Sequence, residues 1–242
     1  MIEIIPAIDI IDGACVRLTQ GEYNSKKIYD SNPLNVAKRY EDAGILRLHC
    51  VDLDAAKAGH IVNGDVLETI CSGTKLAVDF GGGIKSDTDI ERAFSLGAKQ
   101  ITAGSIAAYD PQMVIRWLKN YGQEKIILGA DFKYGRIAVS GWQEATDIDL
   151  WTYLDDYITR GIKTVISTDI SKDGMLEGSS EKIYQVIKQR FPDVYLIASG
   201  GISCMDDIRQ LNDMNIDGVI VGKAIYEERI TLKEITEFMR SC

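Results

Sequence analysis

One pattern of segments occurs twice in this chain. Leu76–Ala107 reads LAVDFGGGIKSDTDIERAFSLGAKQITAGSIA, and Tyr195–Ala224 reads YLIASGGISCMDDIRQLNDMNIDGVIVGKA. In each copy an apolar run ends in a glycine cluster, an amphipathic stretch follows, and a second apolar run ends in another glycine. Gly82 and Gly83 fall opposite Gly200 and Gly201, and Gly104 opposite Gly222, at one constant offset. A glycine turn leading from a strand into a helix N-terminus lets bare backbone N–H groups point at an anion. Packing alone gives no reason to place matched pairs of such turns across an internal repeat. Two phosphate sites are therefore expected, one at Gly82, Gly83, Gly104 and Ser105, the other at Gly200, Gly201, Gly222 and Lys223.

The rest of the chain continues the alternation. Short apolar runs at Glu3–Ile8, Leu46–Val51, Leu76–Phe80, Gln100–Ala103, Ile126–Ala130, Thr164–Thr168, Val194–Ala198 and Gly218–Val221 read as strands. Helical patterns lie between them at about Leu34–Ala43, Asp65–Cys71, Asp87–Leu96, Pro111–Tyr121, Leu150–Arg160, Glu181–Arg190, Met205–Met214 and Leu232–Met239. Ser86 with Asp89 and Ser203 with Asp206 are spaced as capping boxes, and Gly44, Gly97, Gly122 and Gly161 sit where helices should stop. Strands apolar on both faces, alternating with helices, demand a parallel sheet covered by helices. A doubly wound open sheet would need one dominant glycine fingerprint after the first strand, and Ile10–Gly13 does not supply it. The repeat extends to IIPAIDIIDGACV and IILGADFKYGRIA, with Asp9 opposite Asp131 and Gly13 opposite Gly135. These features predict a single α/β domain over residues 1–242: a closed (βα)8 TIM barrel made of two half-barrels, about 1–122 and 123–242.

Composition narrows the function classes. A net charge of −9 with scattered Lys and Arg argues against a nucleic-acid groove, which needs a basic stripe. No apolar run approaches the roughly 18 residues of a membrane helix, and MIEIIPAIDI lacks the basic start of a signal peptide, so no membrane partner is expected. Five cysteines without CxxC pairing and two histidines without a ligand cluster predict reduced thiols, a cytoplasmic location and no metal. A monomer is expected.

Chemistry belongs at the C-terminal ends of the strands. Asp9 and Asp131 end repeat-equivalent strands on opposite walls of one mouth, the placement an isomerisation needs for a general base and a general acid. A ligand with a phosphate at each end would lie between them. Thr168 and Asp169 close the sixth strand, where they either bond the sugar or cap the turn into SKDG. Arg17, in the first loop, is a candidate clamp for phosphate or carboxylate. Trp142, after Ser140 and Gly141, either stacks on a heterocycle or packs as a lid. His49, inside an apolar strand, reads as a core histidine. Asp52 and Asp54 end the second strand with substrate and turn roles both open.

IIPAIDIIDGACVRLTQGEY, LHCVDLDAAKAG, DFGGGI, LGADFKYGRIAVSGWQE, STDISKDGMLEG, ASGGIS and VGKAIYE together resemble the ProFAR isomerases (phosphoribosylformimino-5-aminoimidazole carboxamide ribotide isomerases) of histidine biosynthesis. The resemblance covers nearly the whole chain. It implies a cofactor-independent Amadori rearrangement of a substrate with one phosphate at each end. It also implies that Asp9 is the base taking the C2 proton, that Asp131 is the acid protonating the ring oxygen, and that Thr168 assists Asp131. Departures are small: Cys50 stands where Leu is usual, Ala56 breaks the usual Gly–Ala order, and TAGSIA differs from the commoner form. The cyclase subunit of imidazole glycerol phosphate synthase is similar, but Ala7-Ile8-Asp9 and VRLTQGEY fit the isomerase better. A bifunctional isomerase also acting on phosphoribosylanthranilate and a non-catalytic phosphate-binding barrel are the other readings.

Overall fold

A computed structural model describes residues 1–241. Eight parallel strands run round a closed ring: β1 (Glu3–Ile11), β4 (Arg47–Asp52), β5 (Ala77–Gly81), β6 (Gln100–Ala103), β7 (Ile126–Lys133), β10 (Thr164–Asp169), β11 (Tyr195–Ser199) and β12 (Gly218–Val221). β12 returns to β1 with Glu3 opposite Gly218 and Pro6 opposite Val221, which closes the barrel. The fold is a (βα)8 TIM barrel. Buried aliphatic and aromatic side chains between barrel and helices form the larger core, and Ile5, Ala7, Ile127, Ile166, Ile197 and Ile220 pack together as a second cluster.

Each half opens with an antiparallel hairpin built onto its first strand. In the first half β1 turns back into β2 (Ala14–Thr19), which pairs with β3 (Glu22–Asp30). In the second half β7 turns back into β8 (Arg136–Val139), which pairs with β9 (Glu144–Asp149). The turns are Asp12-Gly13 (φ 52° and 74°) and Tyr134-Gly135 (φ 52° and 76°), two-residue turns with positive φ at both centres. That geometry matches the twist of the flanking strands. Spacing alone predicts loops over both stretches, and the Asp-Gly pair between apolar runs is the signal for the first hairpin.

The helices fall where periodicity puts them, from α1 (Pro33–Asp42) to α11 (Leu232–Arg240). Three short helices add to the pattern: α2 (Leu53–Ala58) after β4, α5 (Ser105–Tyr109) after β6 and α10 (Lys223–Tyr226) after β12. Ser86 caps α4 (Asp87–Ser95) by accepting from the Asp89 N–H, while the Asp89 carboxylate accepts from the Ser86 hydroxyl. The second-half cap is one residue later than Ser203–Asp206. Asp207, not Asp206, accepts from the N–H groups of Ser203 and Cys204 at the start of α9 (Met205–Asp213). Asp206 pairs with Arg209 at the surface instead. The Cys204–Asp207 pair keeps the repeat offset of Ser86–Asp89.

Candidate active site

The C-terminal end of the barrel holds a cavity of about 190 Å³, lined among others by Asp9, Arg17, His49, Asp131, Thr168 and Asp173. Asp9 on β1 and Asp131 on β7 lie four strands apart in either direction round the ring. Thr168 is in register with Asp131 on the neighbouring β10. Burial pushes the Asp131 carboxyl up from its ordinary value, opposed by the Trp142 N–H, the Thr168 hydroxyl and the positive His49.

Arg17 on β2 is 9% exposed, and its Nη1 donates to Asp9 Oδ2 at 2.7 Å. Burial opposes its charge, but Asp9 and Asp173 outweigh that and raise its pKa further. Arg17 thus faces the cavity as a fixed cation, beside a carboxylate and over Gly222. Asp173 is a site residue that strand-end reasoning missed, because it lies within the loop after β10 rather than at the end of a strand. Burial pushes its carboxyl up to about 6; Arg17 and Lys223 hold it down, while Asp9 and Asp131 add to the rise.

The glycine turns form two neighbouring hollows. Gly82, Gly83, Gly104 and Ser105, with Lys85, line the main cavity. Gly200, Gly201, Gly222 and Lys223 line a smaller hollow of about 20 Å³, together with Arg17 and Asp173. Gly104 (φ −91°, ψ −106°) and Gly222 (φ −107°, ψ −96°) share one backbone conformation ahead of α5 and α10. Gly82 (φ 93°) and Gly200 (φ 95°) share another, and a Cβ on either would fall 2.2 and 2.7 Å from the carbonyl oxygens of Asp52 and Asp169. A Cβ on Gly201 would fall 2.2 Å from the Gly178 carbonyl oxygen, so a bulky residue there would displace backbone as well as any ligand. Gly104 is the cleaner probe, because a Cβ there meets nothing within 4 Å. Gly104→Ala should raise KM about tenfold, a loss of about 1.4 kcal/mol in binding, with kcat and melting temperature nearly unchanged. An unmoved KM in steady-state assays would remove Gly104 from the phosphate site.

Two strand-end carboxylates, Asp52 and Asp169, and one in the first turn of α2, Asp54, serve the loops. Asp52 is fully buried and accepts from the N–H groups of Ala55, Val62 and Asn63 and from the Asn63 amide. Asp54 accepts from the Asp12 N–H and the Asn63 amide. Asp169, one of the residues expected to bind substrate, instead turns into its own loop. It accepts from the N–H and hydroxyl of Ser171 and from the Ser180 hydroxyl, the capped-turn alternative, and it does not line the cavity. His49 departs from expectation the other way. It lines the cavity, with Nδ1 2.6 Å from Asp79 Oδ1.

The two hairpins meet over the mouth. Trp142, in the β8–β9 turn, donates from Nε1 to Asp131 Oδ2 at 2.8 Å, and its ring packs on Gly21 of the β2–β3 turn. Its φ of 68° is a left-handed conformation that a bulky side chain adopts only when its surroundings impose it. The Ser140 N–H donates to Ser105 Oγ at 2.8 Å, which ties this turn to the first glycine hollow.

A family model for histidine-biosynthesis proteins matches residues 3–231. The chain belongs to that histidine-biosynthesis family. Its relatives are similar over their whole length. One from Bacteroides thetaiotaomicron is 56% identical over 239 residues, covering 99% of this chain and 100% of its own. One from Cytophaga hutchinsonii is 58% identical over 238 residues (98% and 99%), and one from Flavobacterium johnsoniae 53% identical over 236 (98% of each). All three are named 1-(5-phosphoribosyl)-5-((5-phosphoribosylamino)methylideneamino) imidazole-4-carboxamide isomerase. The resemblance carried by the sequence motifs thus holds along this histidine-biosynthesis chain as a whole. Among the described residues, no helix is long and apolar enough to cross a membrane.

Proposed function

We propose that this protein catalyses the aldose–ketose (Amadori) isomerisation of ProFAR to its ribulosyl form, an intramolecular oxidoreduction in histidine biosynthesis. The observation that carries the proposal is that Asp9 and Asp131 line one cavity from strands four apart in the ring, with one set of repeat-related glycine turns lining that cavity and the other lining a smaller hollow. The relatives' names specify a substrate with two phosphoribosyl groups, which suits that doubled arrangement. Arg17, Ser105, Lys85 and Lys223 complete the anion sites, and Trp142 closes over the heterocycle. The protein works in the cytoplasm as a monomer. The cyclase reading draws no support from relatives that are named isomerases.

In this mechanism a carboxyl proton passes to the ring oxygen of the aminosugar, the C1–O bond breaks, and the nitrogen lone pair forms a C1=N bond. The Asp9 carboxylate then takes the C2 proton; the C–H pair becomes C1=C2 and the C1=N pair returns to nitrogen. Transfer of the C2 hydroxyl proton, with proton gain at C1, leaves the ketone. Sequence motifs give the acid role to Asp131. Burial raises both carboxyls; we assign the acid role to Asp173, which reaches about 6, because hydrogen bonds from Trp142 and Thr168 offset part of the rise at Asp131. Thr168 and Trp142 then hold Asp131 as an acceptor for a substrate hydroxyl.

ProFAR deuterated at C2 tests the proposal. Purified protein should yield ribulosyl product with deuterium gone from C2. An enzyme that acts only on the ribulosyl compound, or a barrel that merely binds, would leave the label in place.

A further inference from the structure

The two half-barrels differ in one interior layer. His49 on β4, Asp79 on β5 and Thr102 on β6 stand, in the repeat, opposite Ile166 on β10, Ile197 on β11 and Ile220 on β12. Sheet register preserves the correspondence: His49 lies opposite Asp79 as Ile166 lies opposite Ile197. The isoleucines are 3%, 0% and 6% exposed and pack with Ile5, Ala7 and Ile127, so the barrel accepts an apolar layer here.

The first half buries charge in the same layer. Asp79 is 1% exposed; its Oδ1 contacts His49 Nδ1 at 2.6 Å and accepts from Thr102 Oγ1 at 3.0 Å. Its Oδ2 is buried without a hydrogen-bond partner. An ion pair with an orphan carboxylate oxygen is no more stabilising than the aliphatic trio found across the barrel, and is commonly less so. The reason for it must lie in the cavity, which His49 and Thr102 both line.

We infer that Asp79 is a positioning residue: it holds the His49 ring by Nδ1 in the charged form, so that Nε2 presents a cationic N–H to the substrate from the cavity floor. This rests on the isomerase reading. A cationic donor beneath the reacting carbons favours the electron-rich enolamine formed when Asp9 takes the C2 proton. The groups facing His49 are Asp9 from β1, Asp79 from β5, Thr102 from β6 and Asp131 from β7; β10, β11 and β12 present isoleucines. Burial opposes the charge on His49, but Asp79 outweighs it with help from Asp9 and Asp131, and the ring pKa stands above its ordinary 6.5.

The test reads the ring directly. With only two histidines in the chain, His49 and His60, the NMR titration of His49 is assigned by its loss in His49→Gln. Wild-type His49 should titrate above 6.5 and Asp79→Asn should bring it down. The same variant should lose about 10- to 100-fold in kcat with KM little changed, and its rate should fall off at lower pH than wild type. A triple variant, His49→Ile with Asp79→Ile and Thr102→Ile, should fold with undiminished melting temperature yet lose about a hundredfold or more in kcat. Unchanged His49 titration in Asp79→Asn, or wild-type kcat in the triple variant, overturns the inference. If the titrations behave as stated while the wild type leaves ProFAR unconverted, the pairing stands and the isomerase reading fails.

Discussion

Asp9→Asn should lower kcat by about a thousandfold or more while substrate affinity stays within a few-fold of wild type. The carboxylate lines the cavity as the base of the proposed mechanism, and Asn has the same shape without basicity. Binding survives because the glycine turns themselves stand at the ends of β5, β6, β11 and β12, and Asp9 reaches the second hollow only through its contact with Arg17. The fold survives as well. Arg17 loses its 2.7 Å partner, but the Asp173 carboxylate, which also acts on Arg17, remains. Steady-state kinetics with a direct binding measurement separate the two effects. Substantial turnover in Asp9→Asn would remove Asp9 as the base; a parallel loss of affinity would make it a binding residue instead.

Asp173→Asn carries the second large effect, a fall in kcat of about 10² to 10³ with no alkaline limb from this group. A general acid works while protonated, so wild-type turnover should decline as pH rises past the Asp173 pKa, about 6 in the unliganded protein. The stability sign is fixed by the same shift. The folded pKa stands above the ordinary 3.8, so the native state binds the proton more tightly than the unfolded chain. Stability from this group is complete below pH 3.8 and is lost as pH rises through about 6. Asn has no such penalty, and the melting temperature of Asp173→Asn relative to wild type should be higher at pH 8 than at pH 4. If Asp131→Asn, not Asp173→Asn, removes the alkaline limb, the acid role returns to Asp131.

The positions of the cavity residues were legible in the sequence because the half-barrel repeats. Asp9 and Asp131, and the glycine pairs at 82–83 and 200–201, are marked by matching positions and need no contact information. Residues whose role depends on direction were not legible. Asp52 and Asp169 are the last residues of β4 and β10, whereas β1 and β7 run on two residues past Asp9 and Asp131 into their hairpins, and the side chains of Asp52 and Asp169 turn into the following loops. No spacing rule separates the two cases. Asp173 acquires its raised pKa from a loop that folds over Arg17, so its role is a product of tertiary burial. His49 looked like a core histidine because its flanking residues are apolar, as any strand of a covered parallel sheet must be. Its partner Asp79 was visible as an acid inside an apolar run, opposite an isoleucine in the other copy. That break in the repeat was the available signal. The hairpin at Asp12-Gly13 was legible from the dipeptide alone, whereas Tyr134-Gly135 shows only by equivalence with it.

The most direct test of the account is turnover of ProFAR by the purified protein, followed by absorbance, with a chelator present and no ammonia source or partner added. The account predicts complete conversion to the ribulosyl isomer. Tight binding of ProFAR without conversion would contradict it.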